Sequence, residues 1–135
     1  MKALFIDPKK QVITETIYNG NYESIYAYLG DSCRTFDVAR LYANQDSAFV
    51  DDEGLYVEDQ HFWLHRNYLQ PLAGNALILG TDDEGDSISP ATSLEQLRND
   101  VEFLGDRFDM ALIFKAYGPN PNWEGIFFPN EKGAA

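Results

Sequence analysis

Cysteine, basic side chains and long apolar runs are all scarce in this sequence. A single cysteine, Cys33, stands among 135 residues, so no internal disulfide and no cysteine-based zinc framework is expected. No apolar run approaches the ~20 residues that span a bilayer. The opening stretch, MKALFIDPKK, has too short an apolar segment for a secretory leader, so a cytoplasmic location is expected. Gly-x-Ser-x-Gly, Walker and Gly-x-Gly-x-x-Gly signatures are missing, which removes the common nucleophile-elbow and phosphate-loop chemistries. Ten Lys and Arg face 22 Asp and Glu, giving a net charge of −12 and a pI near 4.3. Nonspecific binding to nucleic acid or to an anionic membrane needs basic surface, so both are excluded as expectations.

What is present is a foldable core with localised charge. Hydrophobic residues make up 44% of the chain, with nine Phe, eight Tyr and two Trp. That content and a length of 135 residues suit one globular domain over 1–135, with a Pro- and Asn-rich tail at 118–135. Residues 1–43 carry five acids and five bases, and residues 108–135 three acids and two bases. Between them, residues 44–107 carry fourteen acids and three bases, almost the whole excess. Charge runs are usually solvated faces; the sharper alternative is an acidic surface aimed at a basic partner.

Periodicity gives an α+β reading: a mostly antiparallel sheet of about six strands with two helices packed on one face. KALFID and QVITETIY flank the turn PKK as a hairpin. Asn21 caps a short helix carrying Tyr22, Ile25, Tyr26 and Leu29, and Gly30 ends it. CRTFDVARLY, SAFVD, GLYVE and NALILG read as strands, and HFWLHRNYL fits either a strand or a short helix. Gly54 would close a hairpin between SAFVD and GLYVE in the left-handed region. A Thr92–Glu95 capping box opens a helix that runs through Leu94, Leu97, Val101 and Leu104 to Gly105. FDMALIFKAY reads as the last full strand, with one more short strand at Gly125–Phe128. No βαβ alternation with Gly-rich turns is visible, so a doubly wound nucleotide-binding fold is not expected.

The motif Asp-Asp-Glu-Gly occurs twice, at 51–54 and 82–85. As a calcium loop the second copy fails at its sixth and twelfth positions, Ser87 and Ser93, and the first fails at Leu55. The flanks of the two copies differ, so they are acidic turns and not a structural repeat. His61 and His65 share the spacing of a zinc-peptidase helix, but Phe62 stands where the general-base Glu would be, and Glu58 or Asp59 would have to be the third ligand. Two imidazoles beside a buried Phe62 and Trp63 is the blander reading and is favoured, so no metal or other cofactor is expected. Cys33 is expected to be structural, because it follows a helix end and not a helix start. Trp123, Phe127 and Phe128 must fold back onto the sheet or meet a partner, and folding back is favoured.

Several stretches, MKALFIDP, NYESIYAYLG, FVDDEGL, PLAGNALILGTDDEGD and SLEQLRNDVEFL, resemble small uncharacterised acidic proteins encoded by phages, prophages and conjugative plasmids. The resemblance covers roughly residues 1–105 and carries no site residues with it. It implies a mobile-element context, in which small acidic proteins often inhibit host systems, some as DNA mimics against restriction or CRISPR nucleases. Three functional readings therefore stand. The first is a non-enzymatic interaction protein, a counter-defence inhibitor of a basic host protein, presenting Asp51, Asp52, Glu53, Glu58, Asp59, Asp82, Asp83, Glu84, Asp86, Glu95, Asp100 and Glu102. The second is a small-ligand-binding module with a pocket lined by aromatics such as Tyr42, Trp63 and Trp123. The third, ranked last, is a hydrolase-type enzyme using His61, His65 and carboxylates. The first reading depends on whether the acidic clusters share a face.

Overall fold

The computed structural model describes residues 1–128. Its organising element is the run AlaLeuIleLeuGlyThr, strand β7 (Ala76–Thr81). Ala76, Leu77, Ile78 and Leu79 are all fully buried. A strand apolar on both faces must be covered on both, and the chain supplies that cover in layers.

Strand β7 pairs antiparallel with β1 (Lys2–Asp7) on one side and β4 (Ser47–Asp51) on the other. The hairpin expected at the N-terminus is β1 with β2 (Val12–Ile17), and β3 (Phe36–Arg40) flanks β4. The main sheet runs β2-β1-β7-β4-β3, with the two-residue β8 (Ser87–Ile88) beside the end of β7. One face gathers Ala3, Leu77 and Leu79 under Tyr18, Ile25 and Leu29, the last two from helix α1 (Ile25–Leu29). Asn21 accepts from the Glu23 amide at the start of the preceding 3₁₀ turn, and the Gly30 amide reaches back to Tyr26, as the sequence signals. The opposite face gathers Leu4, Ile6, Ala48, Val50 and Ile78 against Trp63 and Leu97.

Those two partners come from a second antiparallel sheet, in the order β6 (Leu72–Ala73), β5 (His61–His65), β9 (Val101–Asp106), and from helix α2 (Leu94–Asp100). Strand β5 (His61–His65) alternates strictly. Trp63 enters the core between the sheets, while Phe62 and Leu64 point to the far side. There they meet Leu104, Met110, Trp123 and Phe128 from β9 (Val101–Asp106), α3 (Arg107–Tyr117), α4 (Trp123–Phe127) and the residue after it. The α+β class and the antiparallel six-stranded sheet match expectation. The helices, however, lie on both outer sides and in the middle, because both β7 and β5 need cover on two faces.

Four local readings are corrected. The helix expected to run to Leu104 stops at Asp100, and Val101–Asp106 pairs with β5 as β9. Its cap is Ser93, which accepts from the Gln96 amide, since Thr92 is engaged by Asp46. FDMALIFKAY is helix α3, because Asp106 accepts the amides of Phe108 and Asp109 at 2.9 and 3.1 Å and nucleates it. GLYVE holds only a 3₁₀ turn, Gly54–Tyr56, and Gly54 is not left-handed; Gly85, at φ +87°, is the acidic-turn glycine that is. Gly125–Phe128 lies in and just after α4 and not in a strand, with Asn122 accepting from the Gly125 amide. The tail does fold back: Trp123 and Phe128 are buried. The rest of the Pro- and Asn-rich tail, 129–135, lies outside the described residues.

Asp46, which no pattern singles out, ties the acidic half together. It is 1% exposed and accepts the Thr92 amide (2.8 Å), the Thr92 hydroxyl (2.6 Å) and the Ala91 amide (3.3 Å). A Cβ on Gly80 would approach its Oδ1 to 2.9 Å, so the neighbouring strand must carry glycine. Removing a buried acceptor strands several donors at once. Asp46→Ala is expected to lower unfolding stability by about 3 kcal/mol in urea denaturation, whereas Asp83→Ala, at an exposed turn position, changes it by less than about 0.5 kcal/mol.

Candidate functional site: an apolar groove beside an acidic loop

Helix α3 carries more apolar residues than one face can bury. Met110 and Ile113 turn inward, while Phe108 is 70% exposed and Leu112 50%. Phe114 and Ala111 look sideways into a groove of about 690 Å³, whose other walls are Leu55, Phe62, Leu69, Met110 and Trp123, and Arg107. Trp123 is fixed in place by the stacked ring of Phe127 (6.2 Å) and the edge of Phe114 (5.8 Å). The rim is uncovered: Leu55 is 61% exposed, Leu69 89%, and Tyr56, next to Leu55, 84%. Leucine side chains this open on the walls of one concavity form an apolar patch that the packing leaves uncovered.

The predicted acids divide between two ends of the sheet. Both Asp-Asp-Glu-Gly stretches are Asx turns: Asp51 accepts the Glu53 amide at 3.0 Å, and Asp82 accepts the amides of Glu84 and Asp86 at 2.9 Å. The β4–β7 register sets Val50 opposite Ala76 and Ser47 opposite Leu79. Asp51 thus leaves the sheet where β7 begins and Asp82 where it ends, about 20 Å away along a six-residue strand. Asp82, Asp83, Glu84 and Asp86 sit at the far end with Glu95, whose helix starts beside Asp46. Asp51, Asp52, Glu53, Glu58 and Asp59 form the other group, in the loop that delivers Leu55 to the groove. Glu102, half-buried, lies on β9. The acids therefore do not form one face.

Other candidates are relocated by their surroundings. Trp63 is fully buried, donating to the Gly74 carbonyl at 3.0 Å, and Tyr42 is tied to Asp100, so Trp123 alone of the three predicted aromatics lines the groove. His61 and His65 sit on a strand, about 13 Å apart, too far to share a metal ion. Among the described residues no group of three His, Cys, Asp or Glu is placed to hold one. Burial and then the Asp51 carboxylate push the Cys33 thiol up to about 11, which leaves it protonated and unreactive at neutral pH.

Residues 1–102 match the family described as a domain of unknown function, DUF3846. The chain belongs to the DUF3846 family. No curated protein and no solved structure matches it. In this DUF3846 chain the groove straddles the limit of the match. Leu55, Phe62 and Leu69 fall inside it, and Met110, Phe114 and Trp123 beyond it. Sequence reasoning missed the leucines and Phe114. The signal for Phe114 was available in α3, where apolar residues at 108, 110, 112, 113 and 114 exceed what a surface helix can bury; Leu55 and Leu69 stand in loops with no such pattern.

One predicted contact residue of the DUF3846 chain is not on the surface at all. Asp100 is 2% exposed, accepts Tyr42 Oη (2.6 Å) and Gln96 Nε2 (2.9 Å), and forms an ion pair with Arg66, whose Nε lies 3.0 Å from its carboxylate. It is a structural anchor, and the expectation that it meets a partner is withdrawn. His65, fully buried beside it, meets Tyr42 edge-on at 4.8 Å and accepts the Asn67 amide at Nδ1 (3.1 Å). Burial pushes the His65 pKa down to about 4, with Asp100 opposing and Arg66 assisting. The unfolded chain takes up a proton near pH 6.5, while the folded one does not until about pH 4. Stability from this group is intact above pH 6.5 and falls as pH drops toward 4. Urea denaturation is expected to show about 2 kcal/mol lost between pH 7 and pH 5, with most of that slope gone in His65→Gln.

Proposed function

We propose that this DUF3846 protein is a non-enzymatic interaction module that docks a basic, amphipathic segment of a partner protein in the groove between α3, α4 and the Leu55 and Leu69 loops. The observation that carries this reading is the open apolar concavity with Leu55, Leu69 and Phe114 unburied on its walls. The groove side chains Leu55, Leu69 and Phe114 expose on the order of 400 Å² between them, the size of an apolar patch that marks an interaction site. The charge beside the groove sets the chemistry of the occupant. Asp52, Glu53, Glu58 and Asp59 share a loop with Leu55, and Asp106 and Asp109 flank the start of α3, against Arg107 and Lys115. A segment with apolar anchors and flanking Lys or Arg satisfies both surfaces, and the acids would speed its encounter in a salt-dependent way.

This reading keeps the basic host partner that the mobile-element resemblance implies, while moving the contact from charge alone to an apolar centre with an acidic rim. The DNA-mimic form has less support, because β7 holds the two acidic groups at opposite ends. The small-ligand reading is weaker at this groove, because its rim side chains are mostly exposed.

A synthetic helix of leucine and lysine tests the proposal, with a leucine and glutamate helix of the same spacing as control. The lysine peptide is expected to bind, to perturb Trp123 fluorescence, and to weaken as salt rises. Leu69→Asp and Leu55→Asp, both at exposed positions, are each expected to cut affinity at least tenfold, about 1.4 kcal/mol, without changing the urea midpoint. Equal binding by these variants, or preference for the glutamate peptide, overturns the reading.

A further inference from the structure

A second concavity, on the other side of Arg107, is built from different chemistry. Two adjoining cavities, about 470 and 190 Å³, share Lys9, Asp59, Gln60 and His61. The larger is completed by Asp106, Arg107 and Phe108.

Each wall is positioned by backbone geometry. His61 opens β5 directly opposite Asp106, which closes β9, so both side chains stand at one end of the second sheet. Asp106 uses Oδ1 for both amides at the start of α3, which leaves Oδ2 uncommitted. Asp59 is held at φ +54°, a left-handed conformation uncommon outside glycine. Gln60 locks that turn from within, donating to the Gly54 carbonyl at 2.7 Å and accepting the His61 amide at 3.1 Å. Gly74, at φ +82°, leaves room for it, since a Cβ there would lie 3.1 Å from Gln60 Nε2. Lys9 enters from the β1–β2 turn.

The larger cavity thus presents two cations, Lys9 and Arg107, and two carboxylates, Asp59 and Asp106, that do not pair with each other, and Asp51 adds a third carboxylate in the smaller one. Among the described residues the ion pairs are Lys2–Glu15 and Arg66–Asp100, neither of them here. Arg107 makes one long bond, 3.5 Å to the Val57 carbonyl. Charges of both signs around one cavity, unpaired with each other, match a ligand that carries both signs. A ligand of zero net charge also escapes the long-range repulsion that a −12 protein exerts on anions. Phe108 supplies a bare ring, 70% exposed, on the same wall.

We propose that this cleft binds an aromatic α-amino acid. Its carboxylate lies on Lys9 and Arg107, its ammonium on Asp59 and the free oxygen of Asp106, and its ring against Phe108. The cleft adjoins the groove at Arg107, but Lys9 and Asp59 line only the cleft.

Isothermal titration with L-phenylalanine, 2-phenylethylamine and 3-phenylpropanoate separates the two charges. L-phenylalanine is expected to bind at least tenfold more tightly than either singly charged analogue. Lys9→Ala and Asp59→Asn are each expected to weaken it about tenfold, and asparagine tolerates the left-handed turn. Leu69→Asp is expected to leave it unchanged. No binding of L-phenylalanine, binding by either analogue within a few-fold of it, or unchanged affinity in both Lys9→Ala and Asp59→Asn overturns the proposal. None of these results bears on peptide binding in the groove.

Discussion

Strand β7 has no solvent-facing side, and that constraint shapes the rest of the molecule. Four consecutive apolar residues with zero exposure require a helix layer on one face and a second sheet on the other. The second sheet then faces the same demand. Strand β5 sends Trp63 inward and Phe62 and Leu64 outward, so it too needs an outer cover, which α3 and α4 provide only in part. The groove is where that cover is incomplete. The groove is thus a consequence of layering, left where the last layer ends.

The same strand distributes the charge. A net charge of −12 concentrated between residues 44 and 107 looks like one surface on paper. Folding sends its members to two ends of β7 and puts two of them, Asp46 and Asp100, inside. Both buried acids are fully engaged, Asp46 with the Thr92 segment and Asp100 with Tyr42, Gln96 and Arg66. Buried carboxylates persist only where donors converge on them, and these two connect segments far apart in sequence. They act as fasteners between layers.

The division of the groove between residues inside and beyond the DUF3846 match gives the fold a functional logic. The matched region builds the main sheet, β5 and the acidic loop. The segment after it adds Met110, Phe114 and Trp123 as a second wall. Arg107 lines both the apolar groove and the mixed-charge cleft, so the start of α3 is the point where the two proposed sites touch.

Much of this was legible in the chain itself. Period-two alternation in VITETI, the unbroken apolar run ALILG and the Asn21 cap are local signals, and local signals gave the α+β class, the N-terminal hairpin and α1. The acidic turns were legible too, since an Asp accepting the amide two residues on needs no distant partner. Other features depended on pairing across the fold. Val101–Asp106 continues a helical apolar spacing and becomes a strand because β5 lacked a partner on that side. Which acids lie inside, which leucines remain outside, and whether two Asp-Asp-Glu-Gly turns share a face are set by register and layer order. A sequence specifies those only through contacts between residues 40 to 60 positions apart, such as Asp46 with Thr92 and Tyr42 with Asp100, which no local pattern displays.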